Sequence, residues 1–193
     1  MKVNLTIGIP SWLDRICAWP AMRYRKRKYG YPFRRIYLGE GKFTIVDSPD
    51  YCRFDIFNWC PNENGPNTYA VRVVTVSKRS IKLVSLHREI MNHPKGLLVD
   101  HRNGDSLDNR RANLRIATKT QNTCNSRKRK NTSSRFIGVC FHKRSKLWAA
   151  RIKYRGKDIW LGYFDSEIEA GKTYDEAAKK YHGEFARLNF GET

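Results

Sequence analysis

The sequence predicts an α+β protein made of two small modules in series. Three observations carry that reading. The apolar run Leu97-Leu98-Val99 delivers Asp100 and His101 to a strand end, and a turn-rich loop, a second short strand and a helix start follow. Nearer the C-terminus, three strand-like stretches precede a single amphipathic helix. Between the two lies a run of cations without an acid, Arg127-Lys128-Arg129-Lys130.

Composition names the class of partner. The 193 residues carry 38 Lys+Arg against 18 Asp+Glu, a formal net charge of +20. Such an excess is the electrostatic footprint of a protein that meets a polyanion, with binding that weakens steeply as added salt makes counterion release less favourable. A hydrophobic share of 40% with 12% aromatic residues excludes a disordered chain. No apolar run approaches the length of a membrane span and no long cationic amphipathic helix is apparent, so a membrane partner is not expected. Cys17, Cys52, Cys60, Cys124 and Cys140 contain no Cys-x-x-Cys pair, so a structural zinc is not expected either. Scattered thiols, and an N-terminus broken by Pro10, Asp14 and Arg15, fit a cytoplasmic protein (intracellular, nucleoid- or phage-associated) that is not secreted.

Taken in order, residues 1–30 read as a poorly patterned basic leader with the run Arg23-Tyr24-Arg25-Lys26-Arg27-Lys28. Residues 31–86 are β-rich. Ile36 to Val46 and Tyr69 to Leu86 abound in β-branched and aromatic residues, and Asn62-Glu63-Asn64-Gly65-Pro66-Asn67 reads as a loop. Residues 87–127 form the first functional core. A short helix at His87-Arg88-Glu89-Ile90-Met91 precedes the Asp100-His101 strand, and Leu114-Arg115-Ile116-Ala117 is the second strand. Thr118-Lys119-Thr120-Gln121 is a capping box, so a helix begins there with Asn122 in its first turns.

Asp100, His101, Asn113 and Asn122 together suit metal-dependent phosphodiester cleavage. Asp and Asn supply the oxygen ligands that a hard cation prefers, and an imidazole can deprotonate water. Each residue alone has a plainer reading: Asp100 and His101 bonded to each other at a strand end, Asn113 and Asn122 serving as turn or cap residues. The four in this order resemble the HNH nuclease family, in the homing-endonuclease-like branch whose third letter is Asn. The resemblance implies a ββα-metal fold (a His-Me finger) with one divalent cation, Mg²⁺ with Mn²⁺ as the substitute. It implies Asp100 and Asn122 as metal ligands, His101 as general base, and Asn113 as the residue that holds the loop orienting His101. His87 reads as a structural histidine.

Residues 128–133 read as a basic linker that can lie along DNA through Arg127, Lys128, Arg129 and Lys130. The last module spans 134–190. Phe136 to Phe141, Leu147 to Tyr154 and Ile159 to Phe164 read as strands, and Asp165 or Ser166 caps a helix to His182 with an apolar stripe of Ala170, Tyr174, Ala177, Ala178 and Tyr181. Gly138-Val139, Trp148-Ala149-Ala150, Trp160-Leu161-Gly162-Tyr163-Phe164, Tyr174-Asp175-Glu176-Ala177-Ala178 and Leu188-Asn189-Phe190 resemble the plant ethylene-response-factor (APETALA-two) DNA-binding domain. That resemblance implies a three-stranded antiparallel sheet packed on one helix, its sheet entering the major groove. Such domains also occur appended to HNH nucleases.

Alternation assigns the faces without the family. Trp148, Ala150, Ile152 and Tyr154 share one side of the middle strand; Ala149, Arg151 and Lys153 share the other, with Trp160 beside them. Lys143-Arg144-Ser145-Lys146 and Arg155-Gly156-Lys157 are the connecting turns, so His142, Arg144, Lys146, Arg151, Lys153, Lys157 and Trp160 are the expected DNA contacts. Where plant members place base-reading arginines on the first strand, this chain has Ile137, Cys140 and His142, so their sequence preference does not transfer. The whole reads as a DNA endonuclease of homing type, a monomer or weak dimer acting on double-stranded DNA. The rival reading is a DNA-binding regulator with an inactive nuclease core.

Overall fold

The computed structural model describes residues 11–77, 80–128 and 132–191, with side chains from residue 18 onward. These fall into two compact units, residues 1–86 with 107–111, and residues 87–106 with 112–193. The first unit runs through helix α1 (Ser11–Tyr29), strands β1 (Arg34–Gly39) and β2 (Lys42–Val46), helix α2 (Ser48–Phe54), and strands β3 (Cys60–Asn64), β4 (Asn67–Ser77) and β5 (Ser80–Ser85). β1 and β2 form an antiparallel hairpin, and β3-β4-β5 an antiparallel sheet. Ile36, Leu38, Val46, Phe54 and Trp59 are buried in this unit.

Two expectations change here. The stretch read as an unpatterned leader holds helix α1. From residue 18 onward no buried apolar stripe marks it: Trp19, Tyr24 and Tyr29 are exposed. Cations stacked on aromatic rings about one turn away support it instead, Arg23 over Trp19 at 4.6 Å and Lys28 over Tyr24 at 5.6 Å. Arg25 ties the helix to the next segment by donating to the Phe33 carbonyl at 2.6 Å. The loop read over Asn62 to Asn67 is also shorter. β3 continues to Asn64, which pairs with Asn67, so only Gly65-Pro66 turns the chain. Backbone pairing overrides the turn preference of the asparagines.

Residues 107–111 join this unit through polar bonds. Ile45 N donates to the Leu107 carbonyl at 2.9 Å, Asn109 N to the Ile45 carbonyl at 2.8 Å, and the buried Asn109 amide to Thr44 Oγ1 at 2.7 Å. Arg111 grips both oxygens of the buried Asp50 at 2.8 and 2.7 Å.

The second unit contains helix α3 (Leu86–Ile90, whose first residue belongs to the other unit), strands β6 (Leu98–His101) and β7 (Leu114–Ala117), helix α4 (Lys119–Cys124), strands β8 (Val139–His142), β9 (Leu147–Tyr154) and β10 (Lys157–Phe164), helix α5 (Glu167–His182), and a 3-10 turn (Gly183–Phe185). β6 and β7 form an antiparallel ladder, and β10-β9-β8 an antiparallel sheet covered by α5. Ser166 caps α5 by accepting from Ile168 N. Ala150 and Ile152 of β9 meet Ala170, Tyr174, Ala177 and Ala178 of α5, small residues that let helix and sheet approach closely. The first strand starts at Val139 rather than Phe136. Gly138 takes φ +72°, and a Cβ there would come within 2.0 Å of the Tyr174 ring. Asn189 closes the module: its side chain accepts from Ile137 N at 2.6 Å, while its own N–H reaches Asp175.

Candidate functional site

β6 ends on Asp100 and His101, both buried. Register with β7 places Asp100 opposite Arg115 and His101 opposite Leu114. The Asp100 carboxylate is held on two sides. Arg115 donates from Nε to Oδ2 at 2.8 Å, and its Nη2 pairs with the same oxygen at 2.7 Å. Asn125, buried at the C-terminus of α4, donates its amide to Oδ1 and Oδ2 at 3.0 and 3.1 Å and to the His101 carbonyl at 2.8 Å. Arg115 also donates to the Glu184 carbonyl and lies over the Phe185 ring at 4.1 Å.

The loop after His101 is pinned from β7's side. Asn113 Oδ1 accepts from Asn103 N at 3.0 Å, and its carbonyl accepts from Arg102 N at 2.8 Å. Gly104 N closes the turn onto the His101 carbonyl at 2.9 Å. His87 comes edge-on to the His101 ring with centroids 5.2 Å apart. Burial, then His101 and Arg88, pushes the His87 pKa down to about 3, so it is neutral at physiological pH.

Helix α4 starts where the capping box places it. Thr118 Oγ1 accepts from Gln121 N at 3.2 Å, and Gln121 Oε1 from Thr118 N at 2.8 Å. Asn122 is half-buried in this helix, and no hydrogen bond engages its side-chain amide among the described residues. It does not bond Asp100; Asn125, further along the helix, does. The donors nonetheless suit a hard cation, because among the described residues Asp100 Oδ1 accepts only the Asn125 amide and keeps lone-pair capacity. Arg115 on Oδ2 offsets part of that carboxylate's charge. Among the described residues no three His, Cys, Asp or Glu gather to hold a metal, so a cation here would rest on one carboxylate and one amide of the protein.

The second surface is the outer face of β8-β9-β10. Arg151, Lys153 and Trp160 are exposed, and Arg151 pairs across the ladder with Trp160. A register shift between Trp160 and Gly162 brings Tyr163 opposite Ala149, on the same face. Trp160 and Tyr163 meet edge-on with centroids 4.7 Å apart, and His142 lies 5.4 Å from Tyr163. His142, Arg144, Lys146 and Lys157 are exposed. Ile137 packs against the core instead of joining this face. A groove along the edge is lined by Lys119, Arg127 and Lys128 on one side and Arg151, Lys153 and Arg155 on the other, with no carboxylate. Arg129 and Lys130 lie outside the described residues.

Sequence reasoning missed Arg115, Asn125 and Tyr163. Pairing the two short strands in antiparallel register exposes Arg115 as the partner of Asp100. The spacing of Asn125 from Asn122 puts it one helical turn on. Tyr163 has no such signal, since simple alternation sends it to the opposite face.

A hairpin-and-helix acid–histidine centre and a sheet-on-helix module with a basic aromatic face thus share one unit. Comparison with known proteins assigns both parts. The family model described as "HNH endonuclease" matches residues 92–124, and that described as "AP2 domain" matches residues 134–184. The chain therefore joins an HNH-type segment to a C-terminal AP2 domain. It is similar to "APETALA2-like protein 2" of Oryza sativa subsp. indica, 39% identical over 75 residues, covering 39% of this chain and 16% of that protein. It is similar to "AP2-like ethylene-responsive transcription factor TOE2" of Arabidopsis thaliana, 41% identical over 58 residues, 30% of this chain and 12% of that protein. It is also similar to "Dehydration-responsive element-binding protein 2A" of the same plant, 51% identical over 45 residues, 22% and 13% of the two chains. The chain thus spans 16% or less of the length of these relatives. No helix among the described residues is long and apolar enough to cross a membrane.

Proposed function

We propose that the chain is a metal-dependent endonuclease of homing type that binds double-stranded DNA through its AP2 domain and hydrolyses phosphodiester bonds at the β6–β7–α4 centre, a ββα-metal core. The observation that carries the reading is Asp100 and His101 side by side at the end of β6, next to a capped helix whose Asn122 amide is uncommitted. His101 takes the proton from the attacking water, and Asn113 holds the loop that fixes its ring. Asp100 and Asn122 would hold the divalent cation, Mg²⁺ or Mn²⁺, which when bound supplies charge stabilisation at the phosphate and the leaving 3′ oxygen. Arg127, Lys128, Arg144, Lys146, Arg151, Lys153 and Lys157 contact backbone phosphates, and His142 and Trp160 pack within the DNA-facing surface. A monomer with one site cuts one strand per encounter.

The test is nicking of supercoiled plasmid with and without Mg²⁺. His101→Ala is expected to slow cleavage by about 10²–10⁴-fold while leaving DNA affinity within a factor of a few. Cleavage near the unsubstituted rate sinks the assignment. Two observations favour a rival, a DNA-binding regulator with an inactive core: Arg115 and Asn125 already occupy the Asp100 carboxylate, and two of the relatives are named as a transcription factor and an element-binding protein. Duplex binding with plasmid left intact at every Mg²⁺ and Mn²⁺ concentration selects that rival.

A further inference from the structure

Two guanidiniums flank the turn that follows His101, and they come from opposite ends of the unit. Arg127, just after α4, donates to the Gly104 carbonyl at 2.6 Å. Arg187, beyond the 3-10 turn of the AP2 module, lies so close that a Cβ on Gly104 would sit 2.6 Å from its Nη1 and 3.5 Å from Arg127 Nε. Arg187 Nη1 is buried and has no hydrogen-bond acceptor. Burial, then Arg127, pulls the Arg187 guanidinium below its ordinary pKa, with Asp100 opposing weakly. Asp100 is shared with Arg115 and Asn125, Glu184 is held by Arg102 at 3.1 Å, and Asp105 follows Gly104 in the same turn. Two like charges, one of them carrying a buried nitrogen without an acceptor, favour an anion beside them, and paired planar forks match the oxygens of a phosphodiester.

We propose that Arg127 and Arg187 clamp a backbone phosphate of duplex DNA beside the His101 turn, so that the AP2 module completes the phosphate-holding side of the nuclease centre. The proposal rests on the DNA-binding reading above but not on cleavage. Gly104 suits this arrangement: its φ of +71° favours glycine, and a Cβ there would push the Arg187 head aside.

The test is fluorescence anisotropy of a short duplex in EDTA, titrated with KCl, using the full chain with Arg187→Gln, Arg127→Gln or both. Each single substitution is expected to lower the log–log salt slope by about 0.9 and the double by roughly twice that. The melting temperature of free Arg187→Gln should match or exceed that of the unsubstituted chain, because an unpaired buried charge is removed. An unchanged slope, with or without a lower melting temperature, overturns the clamp. Should Arg187→Gln fail to fold, the exposed Arg127→Gln and the charge-keeping Arg187→Lys decide: the first must lower the slope, and the second must keep it while weakening affinity several-fold. A thermal shift by inorganic phosphate that depends on Arg187, with duplex binding untouched, reassigns the pair to a free anion and overturns the proposal. Loss of slope in a chain that never cleaves leaves the clamp standing and removes only the nuclease reading.

Discussion

Arg115 holds Asp100 across the β6–β7 ladder, its Nε donating to Oδ2 at 2.8 Å and its Nη2 ion-paired with the same oxygen at 2.7 Å, both residues being buried. The same guanidinium lies on Phe185 and donates to the Glu184 carbonyl. The candidate metal acid is therefore braced through a single side chain against the end of the AP2 module.

Arg115→Met should destabilise the second unit by about 3–5 kcal/mol, since it strands a buried carboxylate without its cation. Urea unfolding measures this. A loss below about 1 kcal/mol means the pair is solvated in solution and the brace is not a structural element.

Deleting residues 133–193 should do more than weaken DNA binding. It removes Phe185 and the Glu184 carbonyl from Arg115, so plasmid nicking should fall even at low salt, where phosphate contacts matter least. The milder Phe185→Leu keeps the apolar volume but removes the ring face. Its expected cost is about 1 kcal/mol with nicking retained. A truncated chain that nicks at the full-length rate in low salt shows that the two parts act independently.

Asn122 and Asn125 should separate by phenotype. Asn122→Ala is expected to leave thermal stability nearly unchanged while shifting the Mg²⁺ titration of cleavage to higher concentration. Asn125→Ala removes the amide that Asp100 and the His101 carbonyl share, and should cost about 1–3 kcal/mol of stability. Asp100→Ala should abolish the metal response, as it takes away the full negative charge. If Asn125→Ala, rather than Asn122→Ala, moves the Mg²⁺ midpoint without destabilising the fold, the ligand role belongs to Asn125.

His87 sets a pH dependence with a definite sign. Its folded pKa of about 3 lies below the ordinary 6.5, so the native state prefers the neutral ring. The stability this contributes is present above about pH 6.5 and is lost as pH falls toward 3, with a slope approaching 1.4 kcal/mol per pH unit. His87→Leu should flatten the stability–pH curve in that window, read by urea midpoints from pH 7 to 4. Parallel curves for the two proteins would show that His87 is solvated rather than buried.

Much of the second unit was legible in the chain because its signals are local. The capping box at Thr118–Gln121, the alternation through Trp148–Tyr154 and the helical stripe from Ala170 to Tyr181 each depend only on neighbours in sequence, and each has its place in the structure. Helix α1 was not legible. Its support over residues 19–28 comes from cations stacked on rings, where no buried apolar stripe marks the helix. The strand β3 was hidden for a related reason: polar asparagines join a ladder when a partner strand offers its backbone groups.

By itself, the sequence determined the two kinds of module, their order, the strand end that carries Asp100 and His101, and a basic outer face on the C-terminal sheet. Tertiary structure alone decided what those residues meet. Asn125 rather than Asn122 reaches Asp100, because the approach of α4 to β6 selects which helical residue faces the carboxylate. A one-residue register shift after Trp160 turns Tyr163 onto the basic outer face, against simple alternation. Phe185 and Arg187 arrive beside the acid–histidine centre from far along the chain. Such long-range meetings are set by how whole elements pack, and residue spacing carries no trace of them.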